Sequence, residues 1–155
     1  MAVKGEIQVW NHEGTQLEGP RENGSSLVFE FNHSVYLPYE KDENKIQGSR
    51  RVGAYELVKD IDRLTPQLYE MVCKGRTCEK IVVTLYRIAQ ESGDEEPYFT
   101  YTLENAKIVS VDNYMPSTKV EENENLGHLE KVSLLAKKFT WEFLEGGIQH
   151  SEEAF

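Results

Sequence analysis

The sequence contains very little cysteine. Cys73 and Cys78 are the two cysteines among its 155 residues, and their C-x4-C spacing lacks the second cysteine pair or the histidines that a zinc site needs. A disulfide between them would close a very small loop. We favour two free thiols instead, because so few cysteines are typical of a chain in the reducing cytosol.

The sequence also lacks a long apolar run. No stretch approaches the roughly 20 apolar residues of a transmembrane helix, and the first six residues (MAVKGE) contain none of the apolar core of a signal peptide. We therefore expect the protein to be made in the cytoplasm, not to insert into membranes, and to be secreted, if at all, by a route that reads no cleavable leader. Glycosylation sequons at Asn23 and Asn32 are then chance matches.

Basic residues are scarce relative to acidic ones. Lys and Arg number 17 against 27 Asp and Glu, which gives a net charge of −10. An acidic chain is repelled by phosphate backbones and by anionic lipid surfaces. Arg50 and Arg51 are too few to form a nucleic-acid-binding patch. Nucleic acid is therefore excluded as an expected partner.

Catalytic motifs are missing as well. There is no G-x-S-x-G elbow, no Walker loop and no G-x-G-x-x-G. The four histidines are not in a metal-ligand spacing, and the acidic clusters at residues 91–96 and 121–124 are typical of solvated loops. His33 lies on an apolar strand face and is interpreted as a hydrogen-bonded core or interface histidine rather than a base. The sequence thus predicts no catalytic, metal or cofactor residues, and a protein that is not an enzyme.

Many segments of the sequence alternate apolar and polar residues with the two-residue period of β-strands. The longest such segment spans residues 129–144 and ends at Gly146 and Gly147. Both of its faces carry apolar side chains, so we expect it to contact protein on both sides for part of its length. One face comprises Leu135, Lys137, Phe139, Trp141 and Phe143, and the other comprises Leu134, Ala136, Lys138, Thr140, Glu142 and Leu144.

Further strands are predicted at residues 6–10, 27–37, 52–59, 80–88, 98–103 and 107–112. Glu104 and Asn105 are predicted to form a tight turn between the last two. The buried face of the second strand is predicted to comprise Leu27, Phe29, Phe31, His33, Val35 and Leu37. Aromatic residues at strand period are interpreted as core rather than as a base-stacking platform; they are Tyr98, Phe99, Tyr101, Phe139 and Trp141.

One helix is predicted over residues 65–75. Thr65 is a suitable N-cap, Pro66 suits the first helical position, and Gly75 suits a left-handed C-terminal cap. The apolar stripe comprises Leu68, Met71 and Val72. Together the elements predict a mainly β fold, with two packed antiparallel sheets forming a barrel-like sandwich and this one helix at its side. We expect a single domain over residues 1–155, with a loosely held polar tail from about residue 148.

Several segments, in order along nearly the whole chain, resemble the haemolysin-coregulated protein (Hcp) family, the tube subunits of bacterial type VI secretion. They are residues 31–33 (FNH), 59–68 (KDIDRLTPQL), 80–87 (KIVVTLYR), 98–106 (YFTYTLENA), 129–132 (LEKV) and 139–142 (FTWE). The order of these segments, the Asp-x-x-Thr-Pro helix start at Asp62 and the chain length together carry the resemblance. The sequence departs from the family in the strongly acidic residues 121–125 and in the short tail after Gly147.

The resemblance implies a function in assembly rather than in catalysis. Members of the family form a β-barrel-like body with a side helix, and six subunits close into a ring. Rings stack into a tube inside a contractile sheath, which expels the tube with its spike. The resemblance therefore implies a homo-oligomer with sheath, spike and baseplate partners, no cofactor, and secretion by contraction. Some members also hold small effector proteins in the ring lumen.

The polar segment 38–51 is long for a connection in a compact domain, and long ordered loops are often functional. It is similar to the family's extended loop, which reaches a neighbouring ring. We hypothesise that Tyr39, Lys41, Asp42, Arg50 and Arg51 contribute to ring stacking, with an ordinary solvated loop as the alternative. Two other functions stay open: a monomeric β-sandwich module that binds carbohydrate or peptide, and an enzyme with an unrecognised site.

Overall fold

The computed structural model describes residues 4–46 and 48–153. Its elements, in chain order, are β1 (Gly5–Trp10), β2 (Ser26–Asn32), β3 (Val35–Tyr36), β4 (Tyr39–Glu40), β5 (Lys45–Ile46), β6 (Arg51–Val52), β7 (Tyr55–Asp60), α1 (Thr65–Cys73), β8 (Cys78–Ile88), β9 (Glu95–Tyr114), a 3₁₀ turn (Glu121–Asn123), β10 (Leu129–Phe143) and β11 (Ile148–Glu153).

Six of these strands form a closed antiparallel barrel. Their order is β10-β7-β2-β1-β8-β9, and β9 pairs back with β10 to complete the circle. The predicted mainly β barrel with one helix is confirmed, although the strands form one continuous closed sheet rather than two separate ones. Closure satisfies the backbone hydrogen bonds of strands that would otherwise be exposed edges.

The core is built by inward-facing side chains from all six barrel strands. Tyr55, Leu57, Val132, Leu134 and Phe139 are each at most 1% exposed. Helix α1 covers the core with its predicted apolar stripe, since Leu68 and Met71 are buried and Val72 packs against the same cluster. Burial of this apolar area is the main favourable contribution to folding.

The helix spans Thr65–Cys73 rather than 65–75; its predicted C-terminal cap is confirmed and its predicted N-cap is not. Gly75 has a φ of +61°, and the N–H groups of Gly75 and Arg76 donate to the carbonyls of Val72 and Met71, which closes the C-terminus. The predicted N-cap, Thr65, is wrong: the N-cap position is Leu64, with no side-chain cap. Thr65 is buried, and its hydroxyl is used in a contact with β10 that is described below.

The strand predicted over residues 27–37 is shorter and faces the other way. It ends at Asn32. Val28 is 4% exposed, whereas Phe29 is 54% exposed and Leu27, Val35 and Leu37 also face outward. The predicted buried face is therefore wrong for these residues, while Phe31 and His33 are half-buried. Apolar side chains occupy both faces of β2, and alternation alone does not tell which face meets the core.

The region predicted as two strands with a turn is one strand, β9, of 20 residues. The predicted turn at Glu104 and Asn105 is wrong. Asn105 instead lies inside the strand with a φ of +50°, a conformation that asparagine tolerates better than most residues.

In three of the barrel strands, the alternation of inward-facing and outward-facing side chains shifts by one residue at the level of Asn105. Consecutive core positions are three residues apart there, instead of two, in three neighbouring strands. They are Cys78 and Ile81 in β8, Leu103 and Ala106 in β9, and Ala136 and Phe139 in β10. The two faces predicted for residues 129–144 are therefore not kept along the strand, since Leu134 and Phe139 are both buried and Leu135 is exposed.

Residues 148–153 are not a loosely held tail. They form β11, which pairs antiparallel with residues 138–143 of β10. β10 thus uses one edge for β9 along its whole length and divides the other between β7 and β11. The last two residues of the predicted tail lie outside the described residues. Both cysteines are free thiols, and burial raises the pKa of Cys78 to about 11.

Candidate protein–protein interface

An arm formed by residues 34–53 leaves the barrel between β2 and β7. It consists of two short antiparallel ladders, β3 with β6 near its root and β4 with β5 near its tip. The N–H of Gly53 donates to the carbonyl of Ser34 at 2.8 Å and closes the root. The polar connection predicted over 38–51 is therefore a narrow hairpin; Gln47, within it, lies outside the described residues.

The five residues predicted for ring stacking all lie on this arm. Tyr39 begins β4, Lys41 and Asp42 lie in the turn that follows, and Arg50 and Arg51 lie on the returning side. All five are exposed. The fold thus brings the predicted residues onto one projecting element, at both its tip and its root.

The arm also exposes large apolar side chains, of which Leu37 was predicted to be buried and only Tyr39 was predicted to make stacking contacts. Tyr36, Leu37 and Ile46 are 53%, 48% and 61% exposed, and Tyr39 is 63% exposed. For Tyr39 and Ile46 the signal in the sequence was a bulky apolar residue within the polar segment 38–51, whereas Tyr36 and Leu37 lie in the segment that was predicted to continue the second strand. Side chains of this kind on a projecting element are typical of protein–protein contact sites.

The arm root is held by an aromatic stack. The ring of His33 lies parallel to that of Tyr55 with 3.6 Å between their centroids, and the rings of Phe139 and Trp141 lie 6.4 and 6.3 Å away. Burial lowers the pKa of His33, and a hydrogen bond to the Gly53 backbone only partly opposes this effect. His33 is therefore an uncharged packing residue at the point where the arm joins the barrel.

A second contact orients the arm from the side. The guanidinium of Arg50 lies 3.5 Å from the carboxylate of Glu152 and donates a hydrogen bond to the backbone carbonyl of Glu153. Glu152 also accepts from His150 at 2.8 Å, and His150 stacks on Trp141. Strand β11 therefore links the arm to the same aromatic cluster that holds His33.

A buried ionic network fixes the start of α1 to the barrel. Lys59 on β7 and Glu130 on β10 form an ion pair, and Lys59 also contacts Asp62 at 3.2 Å. The hydroxyl of Thr65 donates to Glu130 at 3.0 Å, and Asp62 accepts from the Leu64 N–H at 2.9 Å. The Asp-x-x-Thr-Pro helix start is thus bound through these contacts to both β7 and β10.

A second buried carboxylate fixes the long β1–β2 connection. Glu6 accepts hydrogen bonds from Arg21 at 2.7 Å, Ser25 at 2.9 Å and Tyr86 at 2.6 Å. Desolvation and then the bond to Glu6 raise the pKa of Tyr86 to about 12. These two networks make the barrel a rigid body from which the arm projects.

Within residues 4–46 and 48–153 no group of three or more His, Cys, Asp or Glu side chains is placed to hold a metal ion. No helix among these residues is both long enough and apolar enough to cross a bilayer.

Comparison with known proteins agrees with this geometry. The sequence model of a family described as "Type VI secretion system effector, Hcp" matches residues 3–143. A Pseudomonas aeruginosa protein named "Major exported protein" is 29% identical over 127 residues, which are 82% of this chain and 73% of that protein.

Solved structures share the fold over its full length. A mutant form of the Hcp1 protein from the E. coli EAEC 042 pathovar is 29% identical, with a TM-score of 0.87, and the match covers 99% of this chain and 100% of that one. A crystal structure of an Hcp protein has a TM-score of 0.90 at 22% identity and covers 99% of both chains. At 22% identity, the second likeness concerns the fold alone.

Proposed function

The chain belongs to the Hcp family of type VI secretion proteins, and from this membership we propose that six copies close into a ring and that rings stack into the expelled inner tube. The family is one of structural secreted proteins, so the prediction that the chain is not an enzyme is confirmed. The sheath, spike and baseplate proteins of the apparatus are its proposed partners. Carriage of small effectors in the ring lumen and export by contraction, without a cleavable leader, are parts of the same proposal.

The observation that carries this proposal is the apolar arm. Tyr36, Leu37, Tyr39 and Ile46 expose apolar area on an element whose root is packed against the barrel. An isolated soluble subunit gains nothing from such exposure, whereas a repeated contact between copies buries it at every interface. Tyr39, Lys41, Asp42, Arg50 and Arg51 are proposed to make the stacking contacts, with the charged side chains at the rim.

Measuring the mass of the purified chain in solution tests the proposal. A ring of six has a mass of about 107 kDa, six times the 17.9 kDa of one copy, and light scattering coupled to size exclusion distinguishes it from a single subunit. Negative-stain images are expected to show rings, and tubes at high concentration. A chain that stays at 17.9 kDa at every concentration and is not recruited to a contractile apparatus supports the monomeric binding module instead.

A further inference from the structure

The hairpin formed by β9 and β10 carries a groove with a basic rim. The groove has a volume of about 540 Å³ and is lined by Thr77, Asn105, Lys107, Val109, Leu135, Ala136 and Lys137. Val109 and Leu135 are 45% and 47% exposed and form an apolar floor. Among the described parts of the chain, neither Lys107 nor Lys137 has a carboxylate within 4.0 Å. We call this the basic groove.

The loop that joins β9 to β10 has the complementary character. Residues 115–126, here called the acidic loop, contain the exposed carboxylates Glu121, Glu122 and Glu124. Val120 and Leu126, on either side of them, are 44% and 49% exposed. In the ranges that the structure describes, none of these three carboxylates has a cationic partner within 4.0 Å. The loop therefore presents apolar side chains beside unpaired negative charge.

The acidic loop does not occupy the groove of its own chain in this fold. The groove lies about 20 Å down the hairpin from the loop, because Leu135 is six residues beyond Leu129 in an extended strand. The loop is also folded on itself, since Asn123 donates to the Ser117 carbonyl at 3.1 Å and accepts from the Leu126 N–H at 3.0 Å. These observations favour an occupant from another molecule.

We propose that the acidic loop of one copy docks into the basic groove of the next copy. This inference rests on the proposed function and names the two surfaces that join neighbouring subunits. The two surfaces are different parts of the same chain, which gives the head-to-tail contact that ring closure needs. Two lysines then face three glutamates over an apolar floor made by Val109 and Leu135.

This arrangement also accounts for self-association of a strongly acidic chain. Copies with a net charge of −10 repel one another, but salt screens this repulsion beyond about 8 Å at physiological ionic strength. Opposite charges held in direct contact are screened much less. Local complementarity therefore decides which surfaces meet, although both partners carry the same net charge.

Charge reversal on either side tests the contact. The groove variant carries Lys107→Glu and Lys137→Glu, and the loop variant carries Glu121→Lys and Glu122→Lys. Each variant alone places like charges opposite one another, and we expect its rings to dissociate at concentrations roughly 100-fold higher than those of the wild type. All four positions are exposed, so thermal unfolding of the monomer should match that of the wild type.

Mixing the two variants gives the decisive result. The acidic groove of the first variant accepts the basic loop of the second, and the unchanged groove of the second accepts the unchanged loop of the first. A 1:1 mixture is therefore expected to recover ring assembly with alternating copies. Matched controls with the same change of charge elsewhere are Lys74→Glu with Lys80→Glu and Glu91→Lys with Asp94→Lys, and both should assemble as the wild type does.

Zero-length cross-linking of carboxylates to lysines provides an independent readout. In a mixture of ¹⁴N- and ¹⁵N-labelled wild type, cross-links between the loop glutamates and Lys107 or Lys137 should join differently labelled copies. Cross-links found only within one label would mean that the chain fills its own groove, and the inference would be overturned. If the wild type and both variants all form rings, this inference is overturned and the proposed function stands. Wild type that never assembles overturns both.

Discussion

The ammonium group of Lys59 and the carboxylate of Glu130 contact each other across the paired strands β7 and β10, and neither side chain is exposed to solvent. Two buried charges of this kind lose most of their hydration, so they are tolerated only as a pair with further hydrogen bonds. Thr65 and Asp62 provide those bonds from the start of α1. The ion pair therefore determines where the helix attaches to the barrel.

Removal of one member of this pair should be strongly destabilising. Lys59→Met leaves Glu130 and the nearby Asp62 without a cation in the interior. We expect the free energy of unfolding to fall by about 3–5 kcal/mol, the range for breaking a buried pair. Urea denaturation followed by circular dichroism measures this change.

Lys131→Met on the paired strand β10, next to Glu130 in sequence, provides the matched control. Lys131 lies 3.9 Å from Glu56, and both side chains are largely solvent-exposed, so this change should cost less than about 1 kcal/mol. Equal effects of the two substitutions would contradict the role given to the buried pair.

Asn105 should be needed for its conformation rather than for its contacts. A β-branched residue at its φ of +50° is strained. Asn105→Val is therefore expected to lower the free energy of unfolding by about 1–2 kcal/mol, while Asn105→Gly should be tolerated. Asn113→Val, in the same strand at an exposed position, should change stability by less than about 0.5 kcal/mol. A tolerated valine at residue 105 would show that the strand does not need this conformation.

The stability of the protein should depend on pH through His33. Burial lowers the pKa of His33 in the folded chain below its usual 6.5, so the unfolded chain binds the proton more readily. The free energy of unfolding should therefore fall as the pH drops below about 6.5, until the folded chain also takes up the proton. His33→Phe keeps a flat ring in the stack and should flatten this part of the pH profile.

His150→Gln distinguishes the two histidines near Trp141. His150 is largely exposed and lies outside the stack of His33 on Tyr55, so its replacement should leave the pH dependence caused by His33 in place. Urea unfolding of the wild type and both variants at a series of pH values provides the measurement. If His150→Gln flattened the pH profile and His33→Phe did not, the pH dependence would come from His150 and the prediction would be wrong.

Sequence pattern located most of the elements but not all of their contacts. The helix at α1, the strands β1 and β10 and the barrel with one helix follow from local periodicity and from turn residues such as Gly75. The pairing of Lys59 with Glu130 joins residues 71 positions apart, and no local signal specifies such a pair. The buried face of β2 was predicted wrongly for a similar reason. Leu27 and Val28 are both apolar, and only the pairing of β2 with β1 and β7 determines which of them faces the core.

The sequence predicted which segment forms the candidate interface, but not which apolar side chains that segment exposes. A long polar segment indicated the arm and its charged residues. The apolar side chains of Tyr36, Leu37 and Ile46 became apparent as a surface only when the two short ladders placed them on a projecting hairpin. The basic groove depends on strand pairing between residues that are far apart in sequence, such as Lys107 and Leu135, so periodicity could not reveal it.

The last prediction concerns the arm itself. Tyr39→Ser with Ile46→Ser removes two of its most exposed apolar side chains and changes no charge. Tyrosine is enriched among the few anchor residues that contribute about 2 kcal/mol or more to a protein contact, so tubes should become much shorter while single rings persist. Mean tube length in negative-stain images measures the effect. Ile148→Ser is the control, because Ile148 is 70% exposed and lies at the opposite end of β11 from the residues that contact Arg50. Tubes of wild-type length in the arm variant would mean that stacking uses another surface, whereas loss of the rings themselves would place the arm in the contact within a ring.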